Sequence, residues 1–423
     1  MGSWGHRRTK QLGIGLACVL AASLATACGA SSSGNGKSGP IKVGYEVPLT
    51  GNFAQNGQLL VDGFKLGLKQ LGDTVNGRKI EVSYVDTHGD PATALADARK
   101  LVNDGISIME GPLVSSESAA VTPFLGQRKI PVDDLTLCSQ IQVDTWAKAH
   151  NGMTSSWTCD QPALMGAVWA YNEMHWRHIT LVAQDFSFGW QVIGGFAQAF
   201  KQLGGTITNV IYVPLNATDL SSYVGQIPKN TDAVYTEMSG GFAVKFTNAY
   251  QSFGLHKQIP LLGITQLTGQ SALPSEKADA VEGDVYTDAQ YCDGIDTPEN
   301  HKFVDAFVAQ YHTRPGYYSD AGYVRAQVLI AALKSLKGDT SDPSAVSAAM
   351  RAAKVSAPRG PVSISTETHS PIQNIYICKV EAVNGTLANV PIKTYTNAQP
   401  QGQLDYDSWL ARLKHDGGSR PKV

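Results

Sequence analysis

The chain has 423 residues, 43% of them hydrophobic and 17% charged, with 34 Lys and Arg against 36 Asp and Glu. A net charge of −2 without basic runs excludes the electrostatic footprint of a nucleic-acid-binding protein. Beyond the N-terminal region no apolar stretch reaches the roughly 18 residues of a membrane span, and the length suits two globular domains.

His6, Arg7, Arg8 and Lys10 open the chain, an apolar run from Leu12 to Leu24 follows, and Ala25-Thr26-Ala27-Cys28 closes it. A charged start, a short apolar run and small residues before a cut form an export signal. The segment resembles a bacterial lipobox, whose Cys becomes a lipid-modified N-terminus. The Leu usual three residues before that Cys lies one further back, at Leu24, and Ala25 takes its place. The resemblance implies a signal peptide over residues 1–27, lipidation at Cys28 and anchoring to the outer face of the cell membrane. The alternative is an ordinary secretory signal with an incidental Cys28. Residues 1–27 hold three basic and no acidic side chains, so the mature chain keeps 31 basic against 36 acidic ones, a net charge of −5. Residues 28–40 are rich in Gly and Ser and read as a flexible tether. Gly36-Lys37-Ser38 mimics the end of a phosphate-binding loop, but no strand precedes it.

Strand and helix patterns then alternate: a strand over Ile41–Val47, a helix over 59–71, a strand over 80–85, and a helix over 91–102 with Asp90 as its cap and Pro91 in its first turn. A strand at 106–109, a helix at 116–125 and a strand beginning at Ile130 follow. The pattern pauses over 138–160. It resumes with a helix at 162–173, a strand at 178–183, a helix at 190–203, a strand at 206–213, a helix at 220–227, a strand at 233–236, a helix at 242–253 and strands at 260–262 and 284–287. Helices at 299–311, 319–336 and 344–353 and a strand at 375–381 complete the series. Such alternation predicts parallel sheets covered by helices on both faces, with ligands outside the carboxyl ends of the strands.

Cys18 leaves with the signal, and Cys138, Cys159, Cys292 and Cys378 remain beside Cys28. An even number in an exported chain reads as two disulfides. Of three possible pairings, Cys138–Cys159 closes a short loop and leaves Cys292–Cys378. A zinc site is disfavoured because no spacing is C-x2-C.

Several ordered motifs resemble the leucine/isoleucine/valine-binding family of ABC-transporter substrate-binding lipoproteins. They are Pro48-Leu49-Thr50-Gly51 with Gly57, Asp86 with Asp90-Pro91, Gly111-Pro112 with Ser115 and Ile130-Pro131, Asp185-Phe186-Ser187-Phe188-Gly189, Asp232-Ala233-Val234, and the aromatic Tyr317–Tyr323 segment. The resemblance spans about residues 41–385. It implies an α/β fold of two doubly wound, Rossmann-like lobes joined by a multi-strand hinge, the type I periplasmic-binding-protein fold. One lobe is expected over 41–158 plus 286–368 and the other over 159–285 plus 369–400, with a C-terminal tail at 401–423.

In that family one lobe supplies hydroxyls and backbone N–H groups for a ligand carboxylate, and the other lays an aromatic ring across it. The resemblance puts Ser115 at the carboxylate-binding hydroxyl, beside Ser116 at a helix start where free N–H groups favour an anion. A simple helix cap is the alternative. Phe188 stands at the aromatic position, with core packing as its alternative, and Asn56 at another cleft position. Two stretches depart from the family pattern. Thr136-Leu137-Cys138 puts Cys138 where a carboxylate-binding Thr is usual. Thr265 and Gln266 follow the Leu262-Gly263-Ile264 strand where amino-acid binders carry an acid. A buried ammonium without an acid is costly; Glu237 is the candidate substitute, or else a solvated strand-end acid. The ligand classes left open are an amino acid, a neutral amide, a carboxylate, and an apolar or aromatic small molecule. Five Trp fall within 146–190 (Trp146, Trp157, Trp169, Trp176, Trp190), suited to ligand stacking or interlobe packing. His175 and His178 lack an acidic partner for a metal.

The leading function is an extracytoplasmic solute-binding lipoprotein of an ABC importer that captures an amino acid or a related small molecule, an amide or a carboxylate, in the interlobe cleft. It needs no cofactor, acts as a monomer, and partners a small-molecule ligand, a membrane permease and, through its lipid, the membrane. The alternative is a ligand-sensing receptor on the same fold that signals to a membrane partner. Catalysis is disfavoured: no G-x-S-x-G, H-E-x-x-H or strand-linked G-x-G-x-x-G occurs.

Overall fold

The computed structural model describes residues 39–423 except 278–280, 282–283 and 384–385. The expected signal, Cys28 and the tether up to residue 38 lie outside the described residues. Among those described, no helix is long and apolar enough to cross a membrane.

The first sheet holds β1 (Ile41–Val47), β2 (Thr74–Val75), β3 (Arg78–Asp86), β4 (Ile108–Glu110), β5 (Val132–Leu137) and β6 (Gly152–Thr158), in the order β2-β3-β1-β4-β5-β6. All pairings are parallel except the short β2–β3 hairpin. Helices cover both faces, so β1 is buried at every residue but Lys42. The helix Pro91–Asn103 starts as its sequence predicts: Asp90 Oδ1 accepts from the Thr93 N–H at 2.8 Å.

The expected pause over 138–160 is instead a helix, Gln140–Ala149, followed by β6. The helix is announced by Ser139 and Gln142, whose side-chain oxygen accepts from the Ser139 N–H at 3.1 Å. Strand β6, Gly-Met-Thr-Ser-Ser-Trp-Thr, is wholly buried although mostly polar. Two of its hydroxyls are satisfied by the neighbouring strand: Thr154 Oγ1 donates to Leu135 O at 2.9 Å and Ser155 Oγ to Asp133 Oδ2 at 2.6 Å. Buried polar residues with internal partners leave no apolar pattern to read.

The second sheet holds β7 (His178–Gln184), β8 (Thr206–Val213), β9 (Ala233–Glu237), β10 (Leu261–Ile264), β11 (Val285–Ala289), β12 (Lys354–Ala357), β13 (Gly360–Ile364), β14 (Pro371–Val383) and β15 (Thr386–Ala398). Its order is β12-β13-β14-β11-β10-β9-β7-β8, with β15 beside β14. Strands β7 to β11 pair in parallel, and β14 runs antiparallel to β11. The expected change of lobe at 285–286 falls inside β11, so the chain leaves this sheet only after Ala289. The helices Pro298–Tyr311, Tyr317–Ser335 and Pro343–Ala352 then return to the first sheet and share one apolar core with β1. Helix Tyr317–Ser335 lies tightly on Ala54–Leu71. A Cβ on Gly63 would fall 1.9 Å from Ser319 O, and one on Gly322 2.0 Å from Leu60 O.

The expected C-terminal tail contains a helix, Tyr406–Asp416. Its Trp409 is fully buried and donates from Nε1 to Asp160 Oδ2 at 2.8 Å. Gln191 Nε2 donates to both Leu413 O of this helix and Cys138 O beyond β5. The disulfides are Cys138–Cys159, joining the ends of β5 and β6, and Cys292–Cys378, the pairing favoured from the short first loop.

Candidate functional site

The carboxyl ends of the parallel strands of both sheets meet at one cavity. The first lobe brings Phe53, Leu113, Val114, Ser115, Leu135, Thr136 and Trp157 from the loops and strand ends after β1, β4, β5 and β6. It also brings Tyr317 and Tyr318 from the start of a returning helix. The second lobe brings Phe186 and Phe188 from beyond β7, Ser239 from beyond β9, and Gln266 from beyond β10.

Six of the lining side chains are aromatic and none is charged among the described residues. Trp157 and Tyr317 have ring centroids 4.6 Å apart, and Tyr317 and Tyr318 4.1 Å apart. Phe186 and Phe188 form the facing pair, 5.9 Å apart. Hydrogen bonds fix the two tyrosines: Gln266 Nε2 donates to Tyr317 Oη, and Asn56 Nδ2 to Tyr318 Oη at 3.1 Å.

Two helices begin at the edge of this cavity from opposite lobes. Ser115 opens Ser115–Arg128 and Ser187 opens Ser187–Gln202, and their hydroxyl oxygens lie 3.3 Å apart across the cleft. The first backbone N–H groups of each helix have no intrahelical acceptor, and both dipoles present their positive ends.

The sequence candidates divide by where their side chains go. Ser115, Thr136 and Phe188 line the cavity. Thr136 Oγ1 lies 2.9 Å from Cys138 Sγ, so a Thr stands at this wall although Cys138 occupies the usual Thr place. Asn56 stands one step behind, holding Tyr318. Ser116 is exposed and lies off the cavity lining. Leu137 is buried in the second apolar core and lies off the cavity lining. Thr265 borders a smaller neighbouring cavity.

Glu237 is fully buried, and its Oε2 accepts from the Gln184 N–H at 3.1 Å. Burial pushes its pKa up to about 8, which favours the neutral acid. It is thus buried rather than a solvated strand-end acid, and it stands off the lining of the main cavity.

Phe53, Phe186, Ser239 and the tyrosine pair were not singled out as ligand contacts from the sequence. The Tyr317-Tyr318 doublet after Gly316 was the available signal, inside a stretch already matched to the family. Of the five clustered Trp, Trp157 lines the cavity, while Trp146, Trp169 and Trp176 pack in the second core. His178 Nδ1 lies 3.4 Å from Asp232 Oδ2 at the start of β7, and no cluster of three metal-ligating side chains occurs among the described residues.

The periplasmic binding protein family matches residues 40–386. The chain belongs to that family. The solute-binding protein of an ABC transporter from Rhodopseudomonas palustris BisB5, solved with 3,4-dihydroxybenzoic acid, is similar at 30% identity. That match covers 85% of this chain and 98% of the other, with a TM-score of 0.79. A second, from R. palustris HaA2 and solved with p-hydroxybenzoic acid, is 25% identical over 86% of this chain and 98% of its own, also at 0.79. Leu/Ile/Val-binding protein homolog 6 of Brucella melitensis is 28% identical over 362 residues, 84% of this chain and 91% of that protein. This periplasmic binding protein thus has the expected type I fold. Its relatives are solute-binding proteins of ABC transporters rather than enzymes.

Proposed function

We propose that this protein is a lipid-anchored, extracytoplasmic receptor that captures an aromatic carboxylate between its lobes and delivers it to an ABC importer permease. The observation that carries this reading is the uncharged cavity walled by six aromatic rings, with two helix N-termini at its edge. The carboxylate is held by Ser115 Oγ and the N–H groups of that helix start, and Ser187 meets it from the other lobe. The ring lies between the tyrosine pair with Trp157 and the facing Phe186 and Phe188. Contact with both lobes makes the ligand favour the closed arrangement. An amino acid fits less well, since its ammonium would be desolvated without a charged acid at the cavity wall. The benzoates held by the two R. palustris relatives support the same class. Cys28, at the end of the export signal, carries the lipid, and the acyl chains hold the protein at the outer membrane face.

Thermal unfolding with a ligand panel tests the reading. Benzoate or a hydroxybenzoate at 100 times its Kd should add about 2.7 kcal/mol of stability, and leucine nothing. A shift with leucine or valine and none with benzoates would overturn it. Cys28→Ala should move the protein from the membrane fraction to the soluble one; unchanged membrane retention would remove the lipid anchor.

A further inference from the structure

Beside the main cavity lies a smaller one that shares Trp157, Phe188, Gln266 and Tyr317 with it as walls. Asp288 of β11 and Gln290, just beyond that strand, border it from the side away from Ser115. Both side chains are buried, Asp288 fully and Gln290 to 1% exposure. Neither carboxylate oxygen of Asp288 has a hydrogen-bond partner, and neither end of the Gln290 amide has one. The Tyr235 hydroxyl stands close enough to favour the charged form of Asp288, short of a hydrogen bond of normal geometry. Burial outweighs it and favours the neutral acid, which both donates and accepts. The backbone makes room for this acid: a Cβ on Gly166, in the helix Gln161–Asn172 above it, would fall 2.4 Å from Asp288 Oδ2. Unsatisfied polar atoms gathered on one cavity wall call for a polar occupant.

We propose that Asp288 and Gln290 form the distal end of the ligand site and hydrogen-bond a hydroxyl on the ligand's ring, remote from its carboxylate. The proposal rests on the aromatic-carboxylate reading and deepens it: the ligand is a hydroxylated aromatic acid rather than an unsubstituted one. Asp288 does not share a cavity wall with Ser115, so it meets the far end of a ligand rather than an α-ammonium next to the carboxylate.

Titration calorimetry with benzoate and 4-hydroxybenzoate tests it. The protein should bind the hydroxylated acid at least about tenfold tighter, since a site built for a hydroxyl rejects the analogue lacking it. Asp288→Leu, which keeps the branched skeleton but no hydrogen-bonding atom, should reduce that preference to under about threefold while leaving benzoate affinity within about threefold. Gln290→Met carries the same test if Asp288→Leu does not fold, and benzoate binding reports an intact site in either variant. Benzoate binding without a preference for the hydroxyl, or a preference that survives both substitutions, overturns the distal site alone. Binding of neither acid overturns it together with the aromatic-carboxylate reading.

Discussion

Two long helices of this molecule each cover a buried acid, and they treat it in opposite ways. Under Tyr317–Ser335 on the first sheet, Arg325 donates to Glu110 Oε2 at 2.8 Å and also to Asp133 O, with both side chains fully buried. Under Gln161–Asn172 on the second sheet, the facing residue is Gly166, and Asp288 has space beside it instead of a cation. A buried charge is tolerable when paired and hydrogen-bonded. The first arrangement therefore gives its acid a cation, whereas the second leaves an acid without one beside a cavity.

The largest effect should come from breaking the paired arrangement. Arg325→Met strips Glu110 and the Asp133 carbonyl of the guanidinium they share, and with it the cation that opposes the upward push of burial on the Glu110 pKa. Chemical denaturation should show a loss of about 3–5 kcal/mol; a loss below about 1 kcal/mol would make the two helices equivalent. Filling the space on the other side should matter less. Gly166→Ala should cost about 1–3 kcal/mol by crowding Asp288, and most of that cost should vanish when Asp288→Ala accompanies it. Additive effects in that double-mutant cycle would mean that the glycine makes room for something else.

Binding measures the same contrast at the cleft. Ser115→Ala should weaken the carboxylate ligand by about 1.5 kcal/mol, the contribution of a hydrogen bond to a charged group. Unchanged affinity in calorimetry would move the anion site away from this helix.

The smallest effect, per pH unit, concerns Glu237, a second-lobe acid that also lacks a cation. Its folded pKa, about 8, lies above the ordinary 4.5, so between these values the native state holds a proton that the unfolded chain gives up. Its contribution is complete below 4.5 and is lost as pH rises through about 8. Stability should fall by about 1.4 kcal/mol per pH unit over that window. Glu237→Gln should flatten the slope of melting temperature against pH; an unaltered slope would mean that other groups set it.

The alternation of apolar strands and helices was legible because both sheets are covered on two sides. The segments that escaped were those whose patterning is polar or whose partners are distant. Strand β6 hides its polarity by bonding to β5, and the helix Tyr406–Asp416 docks through Trp409, which meets Asp160 far earlier in the chain. At the site, strand ends and helix starts were readable, so Ser115, Thr136 and Phe188 were found. Orientation was harder. Ser115 and Ser116, or Thr136 and Leu137, are adjacent in sequence but face different surroundings, and local spacing does not say which of each pair faces the ligand. Tyr317 and Tyr318 come more than 150 residues after Trp157, and only the folded topology brings the three rings together.

The C-terminal helix has a practical consequence for anyone building a biosensor from this scaffold. Gln191 ties it to the Cys138 carbonyl, two residues from Thr136, and Arg420 just beyond it pairs with Asp185, next to Phe186. A reporter domain fused after Val423 would be mechanically linked to both walls of the cavity. Its signal would be sensitive to occupancy, and its weight would also disturb the receptor it is meant to read.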